Sequence, residues 1–159
     1  MESVTTGTVL RQIQAVLREG FEGPKERWSY FTDNNPDAGL LGTVGGLRAA
    51  EASRQIGGGS IAAHVHHVVF ALEASSGWIR GERKHHNWAE SWSVSTVDDA
   101  AWARLLERLR AGYDDLRAAI EGYALTSEES IGGAVAALAH LGYHLGAIQQ
   151  KLGFAGRRP

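Results

Sequence analysis

Cysteine is absent from this sequence, and its absence removes several kinds of chemistry at once. Disulfides, thiolate metal ligands and a thiol nucleophile on the protein all require cysteine. A metal ion bound by this chain would therefore be held by histidine nitrogens and by oxygen ligands. Sulfur chemistry would have to come from a bound small thiol.

A strong charge of one sign and a long hydrophobic run are missing as well. The chain has 16 basic and 18 acidic residues, so its formal net charge is −2. Nucleic acids and anionic membranes usually bind basic faces or tails, which this composition does not indicate. Nothing resembles an apolar run of about 18 residues or a basic-then-apolar leader. We therefore expect a cytoplasmic protein with no nucleic-acid or membrane partner.

Four segments repeat apolar residues at intervals of three and four, the spacing of amphipathic helices. A chain of 159 residues fits one core, so we predict a single domain over 1–159. Capping boxes are expected at 96–99 and 126–129, and Ser60 is an expected N-cap. The four long helices are predicted at about 8–21, 61–81, 97–123 and 127–152. With short helical pieces between the first two, the pattern predicts an all-α, four-helix bundle.

Two histidines, His140 and His144, lie four positions apart at the border of the apolar stripe of the fourth helix. Side chains at this spacing are about 6 Å apart, so both imidazoles can reach one ion at about 2.0–2.1 Å. The spacing permits a metal chelate without requiring one, since border histidines also cap carbonyls or donate to buried partners. The predicted stripe consists of Ile131, Val135, Leu138, Leu141, Leu145, Ile148 and Leu152.

The second helix carries three more histidines in the stretch IAAHVHHVVFALE, residues 61–73. His64 and His67 share the flank of its apolar stripe, whereas His66 points away and is expected to be a solvated surface residue. His85 and His86, in the polar loop that follows, are expected to be solvated too. Where the borders of helices two and four meet, three neutral imidazoles would suit zinc, nickel, iron or manganese and leave positions for water or substrate.

The loop ERKHHNWAESWSVS is long for a compact domain, which favours a segment that closes over something. Its Trp88 and Trp92, with Trp78, are candidates for an aromatic wall or for core and interface packing. Gly142 and Gly146 predict close packing of the fourth helix against another helix or a second subunit.

Three stretches of the chain carry a recognisable combination: SIAAHVHHVVFALE, NWAESWSVSTVDDAAWARL and HLGYHLGAIQQ. Together they resemble the DinB/YfiT-like family of small bacterial four-helix metalloproteins, over nearly the whole chain. The resemblance implies a metal site of His67, His140 and His144, because the family's helix-two ligand directly precedes an apolar-aromatic run. His64, one turn earlier, is the alternative ligand. The resemblance also implies an up-down-down-up helix order and often a homodimer.

Characterised relatives in that family include transferases and isomerases that use bacillithiol, mycothiol or glutathione. The resemblance thus implies a metal-dependent transferase that joins such a thiol to an electrophilic small molecule in stress response or detoxification. A metal-dependent hydrolase is a second hypothesis, disfavoured because no acidic residue stands on the histidine-bearing edges. A third is a non-enzymatic bundle whose histidines are structural or bind metal without turnover, and which works through an oligomer interface as a homodimer.

Overall fold

The protein is all-helical in its computed structural model, which describes residues 4–25, 28–123 and 126–156. The described ranges contain no strand, only one bridge between Ile56 and Gly59. The fold is compatible with the predicted helical bundle. Its elements are α1 (Thr6–Glu22), α2 (Leu40–Gly45), α3 (Ala49–Ala52), α4 (Ile61–Ile79), the 3₁₀ helix η1 (Trp88–Trp92), α5 (Asp99–Tyr123) and α6 (Glu128–Phe154).

Side-chain oxygens cap the long helices at their first turns. Ser60 accepts from the Ala63 amide at 3.0 Å, so the predicted N-cap of α4 is confirmed. The two predicted capping boxes are displaced. Asp98, rather than Thr96, accepts from the amide of Ala101, and Ser127 is the N-cap of α6. Several polar residues precede each helix. The helix begins after the one whose side-chain oxygen accepts a hydrogen bond from an unpaired backbone N–H of the first turn.

Helices α4 and α5 run in the same direction, side by side. Arg108 pairs with Glu73 at 2.8 Å, and Arg80 pairs with Asp115 at 2.6 Å, so residue numbers increase together along both helices. The connection between them returns to the start of α4, where the Ser60 hydroxyl donates to Ser95 O at 2.6 Å. This return path carries η1 across the surface of α4.

Helix α6 runs antiparallel to α4. The Ser130 hydroxyl donates to Ile79 O at 3.0 Å near one end, while His64 meets His144 near the other. Helix α1 packs against α5 and α6, where Phe21 stacks on Tyr113 with ring centroids 4.3 Å apart. The directions of α4, α5 and α6 are therefore fixed by these contacts, whereas the complete DinB-type order stays a prediction.

The predicted apolar stripe of α6 is partly wrong in its first half. Ile131 and Val135 are 37% and 49% exposed, and Ala134 and Ala137 are buried instead. Small alanine side chains allow α6 to approach α4 closely. The buried face of α6 is therefore the alanine face, which is rotated by about one residue from the most hydrophobic face. From Leu141 onwards the predicted stripe lies in the core, with Leu141, Leu145, Ile148 and Leu152 all buried.

The predicted close packing of two α6 glycines against another helix is not found in the described part of this chain. A Cβ at Gly146 would meet no atom within 4 Å, and one at Gly142 would touch only Phe31 at 3.8 Å. Close contacts occur at Gly20, where a Cβ would lie 2.7 Å from Leu141 Cδ2, and at Gly112, where it would lie 3.2 Å from Leu72. The spacing of glycines therefore did not reveal where the helices touch.

A buried carboxylate, Glu19, holds the loop that follows α1. It accepts backbone N–H groups from Tyr30, Phe31 and Thr32 at 2.8–3.0 Å, and the hydroxyls of Ser29 and Thr32 as well. Burial alone would raise the pKa of Glu19, but these hydrogen bonds lower it to about 2. The loop is thus tied to α1 by an ionised group.

By length and hydropathy, α6 is apolar enough to cross a bilayer. This property does not identify a membrane protein, because the core helix of a soluble bundle has the same composition. Here α6 packs against α1 and α4.

Candidate metal centre

Three histidines from two distant helices bring their Nε2 atoms to one point. His67 Nε2 on α4 lies 3.0 Å from His140 Nε2 on α6, and His144 Nε2 lies 3.1 Å from the same atom. The candidate ligand atoms of the three residues all lie within 4.8 Å of one another. His67 and His144 are buried and His140 is half-buried. This group could hold a metal ion.

The separations fit coordination of a divalent ion. Two nitrogens that each lie about 2.1 Å from an ion, at about 90° to each other, are about 3.0 Å apart. The His67–His140 and His140–His144 separations match this value. A divalent ion held by three ligands has further coordination positions for water, thiol or substrate.

The protonation of His67 follows from its second ring nitrogen. The Ser91 hydroxyl donates its only hydrogen to Trp88 O at 2.7 Å. Its oxygen can therefore only accept a hydrogen bond from His67 Nδ1, which also lies 2.7 Å away. His67 Nδ1 must then carry the proton, which leaves a lone pair on Nε2 in the neutral ring. A metal-binding histidine is typically held in this way, with its other N–H on an oxygen.

His64 occupies the equivalent position beside His144. The two Nδ1 atoms lie 2.9 Å apart, so one ring donates to the other. When His144 is the donor, its Nε2 presents a lone pair towards His140. The ring of His64 is thus placed as an orienting partner of His144, whereas His67 lies within the group of three. Both residues of the predicted alternative are therefore at the site, in different positions.

The helix η1 covers one side of the histidines with aromatic rings. Trp92 stacks on His67 with ring centroids 4.1 Å apart and an interplanar angle of 20°, and Trp88 lies 6.1 Å from His67. His66 Nδ1 donates to Ser91 O at 2.8 Å. His66 is half-buried, so its expected exposure is wrong, because η1 packs against the face of α4 that the helical wheel assigns to solvent.

Burial keeps the site histidines neutral. Removal from water lowers the pKa of His67 to about 4 and that of His144 to about 3, with further lowering by neighbouring imidazoles. Burial also lowers the pKa values of His140 and His64, and Lys151 adds to the effect at His64. At neutral pH these rings therefore offer lone pairs, and protons compete little with a metal ion.

Among the described residues, no carboxylate hydrogen-bonds to the three histidines. In the described part of the chain, the hydrogen-bond partners of the three histidines are one another, Ser91 and His64. A divalent ion held by three neutral rings would keep its full positive charge in a largely desolvated place. Such a centre favours an anionic fourth ligand.

Comparisons with protein-family models, with curated proteins and with solved structures find no match for this chain. The resemblance to the DinB/YfiT-like family therefore depends on the three sequence motifs alone, and a function for this chain has to be inferred from the geometry of the site.

Sequence reasoning missed two residues that support the site. Ser91 lies in a stretch predicted as a loop, and a single serine there carries no signal of contact with a histidine 24 positions away. The sequence predicts His64 only as an alternative ligand, and it does not predict the contact of His64 with His144. Its spacing of three from His67 placed it on the correct flank, and this was the available signal for its role.

Proposed function

We propose that the protein binds a divalent metal ion through His67, His140 and His144 and uses it to activate a low-molecular-weight thiol. The activated thiol would attack an electrophilic small molecule, which makes the protein a thiol-dependent transferase of DinB-like type. The observation that carries the proposal is the convergence of three Nε2 atoms at separations of 3.0 and 3.1 Å, from segments more than 70 positions apart.

The donor set supports an anionic sulfur ligand. A bound divalent ion would lower the pKa of a thiol, as it does for water, because it stabilises the anion. The three neutral rings leave that positive charge uncompensated, and no carboxylate in the described ranges contacts them to reduce it. Ser91 and His64 would fix the orientations of His67 and His144, so that the lone pairs stay aimed at the ion.

The absence of a carboxylate also distinguishes thiol transfer from hydrolysis. A hydrolase needs a group that takes a proton from the attacking water and returns it to the leaving group. A thiol loses its proton to solvent more readily, since its ordinary pKa of about 8.5 is far below that of water. Its sulfur then forms a bond to an electrophilic carbon, and the displaced group leaves with the electron pair.

The exposed side of the centre lies towards His140. This ring is half-buried, whereas His67 and His144 are buried and Trp92 covers the face of His67. We infer that thiol and substrate reach the centre from the side of His140. The predicted homodimer, cytoplasmic location and role in stress response accompany this proposal as further predictions.

The test is direct sulfur ligation to a bound cobalt ion. Metal-free protein is reconstituted with Co²⁺ and titrated with bacillithiol, mycothiol and glutathione. We expect one Co²⁺ per chain and a sulfur-to-cobalt charge-transfer band with at least one thiol. S-methylglutathione, which lacks the free thiol, should give no band.

Two variants complete this test. His67→Ala should lose the cobalt spectrum, while His85→Ala, at an exposed histidine outside the cluster, should keep it. Stoichiometric cobalt binding with no band from any of the three thiols would reject thiol activation and leave a metal-binding bundle. Equal cobalt binding by His67→Ala and the unaltered chain would reject the metal centre itself.

A further inference from the structure

A second site is formed by a cavity of about 680 Å³ beside the histidine cluster. It lies between the last turns of α4, the loop before η1 and the first half of α6. Cavities that hold small organic ligands commonly have volumes of about 300–1,000 Å³ and mostly apolar linings with a few polar groups. The size and lining of this cavity are therefore those of a small-molecule site.

Two tryptophans form the aromatic part of the lining. Trp78 is 44% exposed and Trp88 is 50% exposed, so each indole presents a large apolar area to solvent. Each ring contacts a neighbouring side chain. Arg83 lies over Trp78 with its Cζ 3.9 Å from the ring centroid, and Trp88 packs edge-on against Phe70 at 5.3 Å. Arg83 covers one face of Trp78, so a planar ring would contact the parts of the two half-exposed indoles that remain open.

Beyond Glu129 in its first turn, the part of α6 that lines the cavity has only very small residues. Gly132, Gly133 and Ala136 contribute there, and Ala74 faces them from α4. A Cβ at Gly133 would lie 3.1 Å from Trp78 Cδ1, so this glycine lets the indole rest on the helix backbone. A Cβ at Gly132 would meet no atom within 4 Å. Space remains open above Gly132.

The charges around the cavity balance. Lys84 pairs with Glu82 at 2.6 Å, and both line the cavity. Glu129, also in the lining, has a lowered pKa, chiefly because its own backbone N–H and the Ser127 side chain hydrogen-bond to it, with a smaller contribution from the positive charge of Arg83. Glu82, Glu129 and Lys84 line the cavity, and Arg83 lies beside them over Trp78, so two acidic and two basic side chains stand at or next to its rim. A charged ligand would lose its hydration there without gaining an unpaired counter-charge.

The cavity adjoins the metal centre. Trp88 lies between the two sites: it lines the cavity, and its ring centroid is 6.1 Å from that of His67. Ala136 is one helical turn before His140, whose side of the centre is the exposed one. None of the three candidate ligands lines the cavity itself, but a compound lying against Trp88 and Ala136 would contact residues that are next to His67 and His140.

From these observations we propose that the cavity binds an uncharged, planar aromatic compound and presents it to the histidine centre as the substrate. The role of this compound as a substrate rests on the proposed function, whereas its binding in the cavity does not. The binding itself depends on the tryptophans, the small residues of α6 and the balanced charges, and it is measurable in metal-free protein.

The experiment uses a matched pair of fluorescent probes, with a chelator present. N-phenyl-1-naphthylamine is uncharged, and 8-anilino-1-naphthalenesulfonate has the same rings with one sulfonate. We expect saturable binding of one N-phenyl-1-naphthylamine per chain and weaker binding of the sulfonate. Tighter binding of the sulfonate, or no saturable binding of the uncharged probe, would overturn the proposal.

Substitutions on α6 that fill the cavity test whether the probe binds there. Gly132→Leu places a side chain in the open space, so the affinity for the uncharged probe should fall about tenfold or more. Gly122→Leu makes the same change at an exposed helical glycine of α5 outside the cavity, where a Cβ also meets nothing within 4 Å, and should leave the affinity unchanged. Equal affinity in both variants would place the probe elsewhere and overturn the proposal.

Two additions keep the result decisive. Ala136→Leu fills the same cavity one turn later, in case Gly132→Leu does not fold, as judged by circular dichroism. Cobalt binding is measured on every variant. Probe binding without cobalt binding would reject the proposed function and leave the aromatic site, whereas cobalt binding without probe binding would reject the aromatic site alone.

Discussion

His64 and His144 face each other through Nδ1 atoms that are 2.9 Å apart, across the contact between α4 and α6. The contact makes His64 a support for a candidate ligand, and it separates the roles of two histidines that are three positions apart on one helix. Replacing each of them should therefore give different losses.

We expect His67→Ala to abolish stoichiometric metal binding and His64→Ala to weaken it. A hydrogen-bonding partner of a ligand is typically worth about 10- to 100-fold in metal affinity, because it fixes the ring that binds the ion. Competition titration with a chelator gives both affinities, with His85→Ala as the control. A larger loss in His64→Ala than in His67→Ala would assign the helix-two ligand to His64.

Ser91→Ala should weaken metal binding by about 10- to 100-fold, because His67 loses the oxygen that accepts from Nδ1. The matched control is Ser93→Ala, at an exposed serine two residues later that has no contact with the histidines among the described residues. The same chelator titration measures both variants. Identical affinities for the two would show that Ser91 does not orient the ligand.

The buried histidines should make the metal-free protein sensitive to mild acid. The pKa values of His67 and His144 lie at about 4 and about 3, below the ordinary value of 6.5, so the unfolded chain binds protons first as the pH falls. The free energy of unfolding should therefore be full above about pH 6.5 and decrease below it.

Urea unfolding between pH 7.5 and 5 tests this prediction, because the free energy of unfolding at each pH follows from the urea midpoint. His144→Gln should reduce the slope of stability against pH, since one buried imidazole is gone. His85→Gln, in the exposed loop, should leave the slope unchanged. A slope in His144→Gln as steep as that of the unaltered chain would contradict the predicted role of this ring.

Glu19 should give a separate acid transition at lower pH. The pKa of Glu19 is about 2 in the folded protein against an ordinary value of 4.5, so its stabilising effect is present above about pH 4.5 and is lost as the pH falls towards 2. This difference in pKa corresponds to about 3 kcal/mol at neutral pH.

Glu19→Gln should therefore lower the free energy of unfolding by about 3 kcal/mol at pH 7 and by much less near pH 2. Urea unfolding measures the difference, and Glu107→Gln, at an exposed position of α5, serves as the control. A cost that is the same at both pH values would mean that the charge of Glu19 does not hold the loop.

Periodicity and spacing determined the helices and the edges on which the histidines stand. The repeat of apolar residues at three and four positions predicts all four long helices, and it puts His67, His140 and His144 on the borders of apolar faces. These features are local, since each depends on residues within a few helical turns.

Contacts between distant segments decided the rest. Which face of α6 is buried near Ala134 and Ala137, why His66 is covered, and how Ser91 and His64 hold the candidate ligands all depend on how α4, α6 and η1 pack. A helical wheel has no information on such neighbours, because the free energy of a buried face comes from the surface that covers it. The sequence therefore determined which side chains are available at each edge, and the packing of the helices determined which of them meet.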